Sequence, residues 1–122
     1  MLLKGGDKLE STELARKIVD LIIEKKGSDV TLLDIRPISM IADYFVICSG
    51  TSERQVQAIV EEVVDKIKAV DIRPLHVEGA PSSGWVLMDY GSVIVHIFAP
   101  AAREYYQLEK LWSKAKTVVR IQ

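Results

Sequence analysis

Apolar positions recur along this chain in two rhythms, and the changes of rhythm mark its elements. Leu14, Ala15, Ile18, Val19, Leu21 and Ile22 share one broad face of a 3.6-residue helix, with Glu13, Arg16, Lys17, Asp20 and Glu24 elsewhere. Ser11 or Thr12 is placed to cap its start, Lys25 and Lys26 meet the negative end of its dipole, and Gly27 ends it. A better-marked helix follows Gly50-Thr51-Ser52. There Val56, Ile59, Val60, Val63, Val64 and Ile67 form a single stripe that must lie on a sheet. Ser52 and Gln55 have capping-box spacing, so the hydroxyl and the side-chain amide can each satisfy a free backbone donor.

Between these helices the pattern shortens to strands. Asp29 to Ile35 reads as one, stopped at Arg36-Pro37 because proline restricts the residue before it and lacks an N–H. Tyr44 to Ser49, β-branched and aromatic, reads as a second, and a short third is expected near Arg73 to Val77. The stretch Gly84 to Phe98 organises the rest as a hairpin, its turn at Asp89-Tyr90-Gly91-Ser92. Both arms are apolar at successive positions, so the hairpin is expected to be covered on both faces and to lie centrally in the sheet. The small and turn-forming residues from Glu78 to Gly84 predict the most mobile interior segment. Pro100 suits the first turn of a last helix, and Thr117 to Ile121 reads as a short terminal strand or a frayed end. Residues 1–9 read as a mobile lead-in and 10–122 as a single domain. The order predicts an α/β fold, a mixed β-sheet of about five strands with helices packed on it.

Composition narrows the partners. Lys and Arg number 16 against 17 Asp and Glu, so no overall basic excess draws the chain to nucleic acid, and strong direct binding to RNA is not expected. Cys48 is the one cysteine, which excludes an internal disulfide and CxxC metal patterns, and its apolar strand predicts a buried, inert thiol. No apolar run reaches the roughly 18 residues of a membrane span and the N-terminus lacks a signal-peptide core, so a cytoplasmic protein with no membrane partner is expected.

Catalytic chemistry finds no constellation. Ser49-Gly50-Thr51-Ser52 lies between a strand and a helix, where free N–H groups can cradle phosphate, but it lacks the lysine of a P-loop. Only Glu53 stands close downstream, short of the carboxylate set that metal-dependent nucleotidyl transfer needs. His76 with Glu78 is a His-x-Glu without a third ligand, and His96 sits in an apolar strand where a structural role fits better than a catalytic base. The chain is therefore read as a non-enzyme with no catalytic residue, cofactor or metal. Aromatic and acidic residues do gather toward the C-terminal half. Trp85, Asp89, Tyr90, Glu104, Tyr105, Tyr106 and Glu109 have the composition of an interface hot spot and are the candidate partner-binding residues.

Four motifs in order carry a resemblance. They are Asp34-Ile-Arg36 through Asp43-Tyr-Phe-Val-Ile-Cys-Ser-Gly50-Thr51-Ser52-x-Arg54-Gln-Val, then Glu78-Gly79, then Gly84-Trp-Val-Leu-Met-Asp-Tyr-Gly91 with Val95-His-Ile-Phe98, then Arg103-Glu-Tyr-Tyr-x-Leu-Glu-x-Leu-Trp112. Together they closely resemble the ribosomal silencing factor (iojap-like) family. The resemblance implies a nucleotidyltransferase-like fold kept without its chemistry. It implies a non-enzymatic translational repressor that binds the large ribosomal subunit through its ribosomal protein fourteen and blocks joining of the small subunit when nutrients are short. Organellar relatives act in ribosome assembly. Family members occur as monomers and as homodimers, and the sequence leaves both open. Two alternatives also stay open: nucleotide binding at Gly50-Thr51-Ser52, and a direct RNA-binding module.

Overall fold

Most elements form where their apolar side chains find cover. In the computed structural model, which describes residues 10–99, 102–103 and 116–121, the chain runs α1 (Ser11–Glu24), β1 (Ser28–Asp34), β2 (Tyr44–Ser49), α2 (Glu53–Lys68), β3 (His76–Ala80), β4 (Trp85–Asp89), β5 (Val93–Phe98) and β6 (Lys116–Ile121). The strands form one sheet in the order β3-β4-β5-β2-β1-β6. Strands β2 and β5 pair in parallel and all other neighbours antiparallel, so the sheet is mixed. The parallel pair is the one whose connection carries a helix, α2, as a crossover between parallel strands requires.

Both helices cover the same face of the sheet. Ile18 and Ile22 of α1 and Val56, Ile59, Val63 and Ile67 of α2 join Val30, Val46, Val95 and Ile97 in one buried cluster. The opposite face holds a second cluster of Leu33, Ile35, Ala42, Phe45, Ile47 and Phe98, with Trp85 and Ile94 packed against it. Cys48 is wholly buried as expected, and burial pushes its thiol up to about 12, which keeps it protonated.

The helix ends differ from their expected chemistry. Glu10 is the N-cap of α1 and makes no side-chain capping bond. Thr12, read as a cap, instead shares a 2.8 Å hydrogen bond with the Tyr44 hydroxyl. Helix α1 ends before Gly27, with Lys26 taking the left-handed conformation (φ 64°) and Gly27 N–H donating to the Ile22 carbonyl, a Schellman closure. Gly27 is needed one residue later, because a Cβ there would lie 2.4 Å from the Ile22 side chain. Ser52 does cap α2, accepting from Gln55 N–H at 3.1 Å. The Gln55 amide, expected to serve Ser52 N–H, serves others: Oε1 accepts from Thr51 Oγ1 (2.9 Å) and from Thr51 N–H, and Nε2 donates to the Lys26 carbonyl (2.9 Å). One side chain thus ties the end of α1 to the start of α2.

Three strand readings need correction. The third strand begins at His76, not Arg73, and takes in Glu78 to Ala80, which read as loop. The remainder of that loop is a 3-10 turn, Pro81–Ser83, held by Ser83 Oγ bonding with Ala80 and Trp85 backbone atoms. Gly79, at φ 81°, lets β3 reach this close, since a Cβ there would meet the Trp85 carbonyl. Among the described residues the sheet has six strands, because β6 realises the terminal-strand reading beside β1. In the hairpin, β5 is central and almost wholly buried, whereas β4 buries only Val86 and Met88 and leaves Trp85, Leu87 and Asp89 partly exposed. Strand β4 lies next to the edge strand β3, where nothing among the described residues fully covers its second face.

Candidate docking face

The hairpin turn closes as its sequence requires. Gly91 takes φ 87°, Asp89 Oδ1 accepts from Gly91 N–H at 2.7 Å, and Tyr90 N–H donates to the Val93 carbonyl at 2.9 Å. Asp89 is therefore a turn residue as well as a half-exposed carboxylate. Tyr90, expected to look outward, is only 7% exposed and belongs to the main core cluster. Its hydroxyl is buried with no hydrogen-bond partner among the described residues, and burial pushes its pKa up to about 12, so it stays neutral.

Trp85 occupies the other end of β4. Its ring stacks on Phe98 (centroids 5.7 Å apart) and on His96 (5.9 Å), and its Nε1–H donates to His96 Nδ1 at 3.3 Å. Phe45 meets the imidazole edge-on at 4.8 Å. Because Nδ1 accepts, a neutral His96 carries its proton on Nε2, and that N–H is buried with no partner among the described residues. Burial holds the ring's pKa down at about 4, so it is uncharged at neutral pH. This geometry makes His96 part of an aromatic platform on the sheet's second face.

Arg103 opens the segment that follows the hairpin. It is buried, donates to the Asp29 carbonyl, and reaches Ser49 Oγ (3.2 Å) and Thr31 Oγ1 (3.4 Å). The Asp29 carboxylate stands 3.6 Å from Arg103 and 3.1 Å from Arg120. Asp29 sits at φ 50° within a β-bulge of β1, and that left-handed turn of the backbone presents both its carbonyl and its carboxylate. Sequence reading placed Arg103 at the head of the fourth motif and gave it no partner. Nothing in linear spacing joins it to Asp29, which lies 74 positions away. The other candidates, Glu104, Tyr105, Tyr106 and Glu109, lie outside the described residues.

Among the described residues, the large apolar side chains that are most exposed stand near the turn end of the hairpin. Met40 (103% exposed) and Ile41 (85%) sit on the β1–β2 loop, and Leu75 (76%) precedes β3. Asp34 anchors that loop by accepting from Arg36 Nε at 2.9 Å and Nη2 at 2.7 Å. Asp43 N–H joins it to the hairpin by donating to the Ser92 carbonyl at 2.8 Å. Neither the loop nor Leu75 was picked out by sequence reading, because isolated apolar residues in turns carry no periodic signal.

At the strand–helix turn several N–H donors are engaged within the protein: Gly50 N–H with the Phe98 carbonyl, Thr51 N–H with Gln55, Gln55 N–H with Ser52 Oγ, and Val56 N–H with the Ser52 carbonyl. His76 Nε2 and Glu78 Oε1 pair at 2.7 Å on the exposed edge strand. Among the described residues no group of three or more His, Cys, Asp or Glu side chains could hold a metal ion, and no helix is long and apolar enough to cross a membrane.

Comparison with known proteins adds a consistent result. A family model described as "Ribosomal silencing factor during starvation" matches residues 8–122. A Halalkalibacterium halodurans protein named ribosomal silencing factor is 43% identical over 110 residues, covering 90% of this chain and 94% of that one. A mouse protein named mitochondrial assembly of ribosomal large subunit protein 1 is 35% identical over 99 residues, 79% of this chain and 43% of its own length. Among solved structures, a crystal structure of a Chromobacterium violaceum protein superposes with a TM-score of 0.82 at 33% identity, covering 91% of this chain and 94% of that one.

Proposed function

The chain belongs to the ribosomal silencing factor family, and on that premise we propose that it binds the large ribosomal subunit through its ribosomal protein fourteen. Bound there, it sterically blocks joining of the small subunit and lowers translation under nutrient limitation. The observation that carries this reading is the family match over residues 8–122, whose description couples ribosomal silencing to starvation. The mouse relative's name supports the large subunit as the partner. A near-neutral chain, with 16 basic against 17 acidic residues, suits docking on a basic ribosomal protein better than on bare RNA.

The activity is occupancy, not catalysis. The capping bonds of Thr51 and Gln55 N–H, and the absence of a P-loop lysine, favour a structural role for the Gly50 turn. Docking is assigned to the hairpin, with Trp85, Asp89 and Tyr90, and to the segment after it, with Glu104, Tyr105, Tyr106 and Glu109. Purified protein mixed with isolated ribosomal subunits and spun through a sucrose cushion tests the partner. It should pellet with large subunits and stay in the supernatant with small ones. Pelleting with small subunits, or with neither, would overturn the reading.

A further inference from the structure

A buried cation stands in the same row of the sheet as Trp85. The register places Ser28 beside Ser49, Ser49 beside Phe98 and Phe98 beside Trp85, so a single line crosses β1, β2, β5 and β4 at the end away from the hairpin turn. Ser49 lies two positions beyond Ile47, hence on the second face with Phe98 and Trp85. Arg103 reaches that face from beyond β5 and ends at its β1 side. There Ser49 Oγ, Thr31 Oγ1, the Asp29 carbonyl and the Asp29 carboxylate meet its guanidinium. A buried guanidinium needs an opposite charge, and the Asp29 carboxylate supplies one at 3.6 Å.

The short turn that leads to Arg103 bears directly on Trp85. Ala99 N–H donates to the Gly84 carbonyl at 2.9 Å, and Arg103 N–H donates to the Ala99 carbonyl at 3.2 Å. Ala102 packs against the cluster that also receives Trp85, and a Cβ on Gly84 would lie 3.2 Å from the Ala102 Cβ. Gly84, at φ 84°, immediately precedes Trp85. Where Arg103 is held therefore decides where Ala102 meets Gly84, and with it how firmly the start of β4 is seated.

We infer that Asp29 is a positioning residue for docking: its carboxylate fixes Arg103, and Arg103 holds the turn from Ala99 against Gly84 and Trp85. This rests on the assignment of docking to the part of the hairpin that carries Trp85, and it adds a residue that acts without touching the partner. A docking side chain already held in place loses less freedom on binding, so loosening it weakens the complex without removing a contact. Asp29 has a second cation, Arg120, at 3.1 Å. That pair is open to water and screened by it, so the effect is assigned to Arg103.

The test uses the full chain, purified large subunits and three variants, each studied well below its own melting temperature. Asp29→Asn keeps the carbonyl that accepts from Arg103, and asparagine tolerates the left-handed φ of 50°, so the variant removes the charge and little else. It should weaken binding about threefold to tenfold. Arg103→Lys keeps the charge but gives up the planar fork; it should weaken binding in the same direction and serves if Asp29→Asn is too unstable to study. Arg120→Gln removes the outer arm alone and should bind as wild type does. The chain has two tryptophans, so with Trp112→Phe placed in every protein the emission reports Trp85. Acrylamide quenching of that emission in the free protein should rise about twofold with Asp29→Asn and with Arg103→Lys, and stay unchanged with Arg120→Gln. A merely structural Asp29 would lower melting and leave quenching of the native protein alone. Weaker binding without greater access to Trp85, greater access without weaker binding, or an Arg120→Gln that matches Asp29→Asn would overturn the inference and leave the functional reading standing. If wild type itself fails to bind large subunits, both fall.

Discussion

At the scale of single residues, His96 sets a pH limit on the fold. Its imidazole is buried among Phe45, Trp85 and Phe98, and that burial holds its pKa at about 4, below the roughly 6.5 of an unfolded chain. Between those values the unfolded chain binds a proton that the folded protein refuses. Stability is therefore whole above about pH 6.5 and declines as pH falls toward 4. From pH 7 to pH 5 this residue should remove about 2 kcal/mol. Urea titrations at the two pH values should show that loss in wild type and much less of it in His96→Gln. Parallel losses in both proteins would mean the ring is not held neutral by its surroundings. Arg103, beyond the end of β5, makes the opposite choice: it enters the interior charged, and Asp29 with two hydroxyls gives it partners there.

At the scale of elements, α2 is where sequence and structure agree most closely. Val56, Ile59, Val63 and Ile67 are fully buried, and Val60 and Val64 pack beside them, as the stripe requires. Val63→Ala should cost about 1–3 kcal/mol through lost burial and a residual cavity. Glu61→Ala, whose carboxylate accepts from Gln57 on the outer face, should cost about 0.5 kcal/mol or less. Equal losses in denaturant would mean the helix presents another face. Strand β2 and the Asp89–Ser92 turn were as legible, because β-branched runs and an Asp-x-Gly turn act through local geometry. Strand β3 was legible only as a short strand near Arg73 to Val77, with its bounds misplaced. Its five residues are all exposed, so no apolar rhythm marks where it begins and ends, and its place is set by pairing with β4. The double covering expected of β4 failed for a related reason. Apolar residues on successive positions show that both faces can be covered, but whether they are depends on which strands lie alongside.

At the scale of the whole molecule, the candidate site was legible in part. The hairpin was found and its Asp89 is accessible, yet Tyr90 turned inward and Trp85 became part of an aromatic stack. A sequence shows which residues could anchor a partner. It does not show which of them the fold uses first, and the exposed Met40, Ile41 and Leu75 come from separate segments that only the sheet brings to one end. The proposed function requires that occupancy of the large subunit be by itself enough to stop subunit joining. The direct measurement is light scattering as purified small and large subunits join in magnesium, with the large subunits preincubated with increasing protein and no nucleotide present. Joining should fall in proportion to the fraction of large subunits occupied and approach zero at saturation. Full joining by large subunits already saturated with the protein would contradict the account.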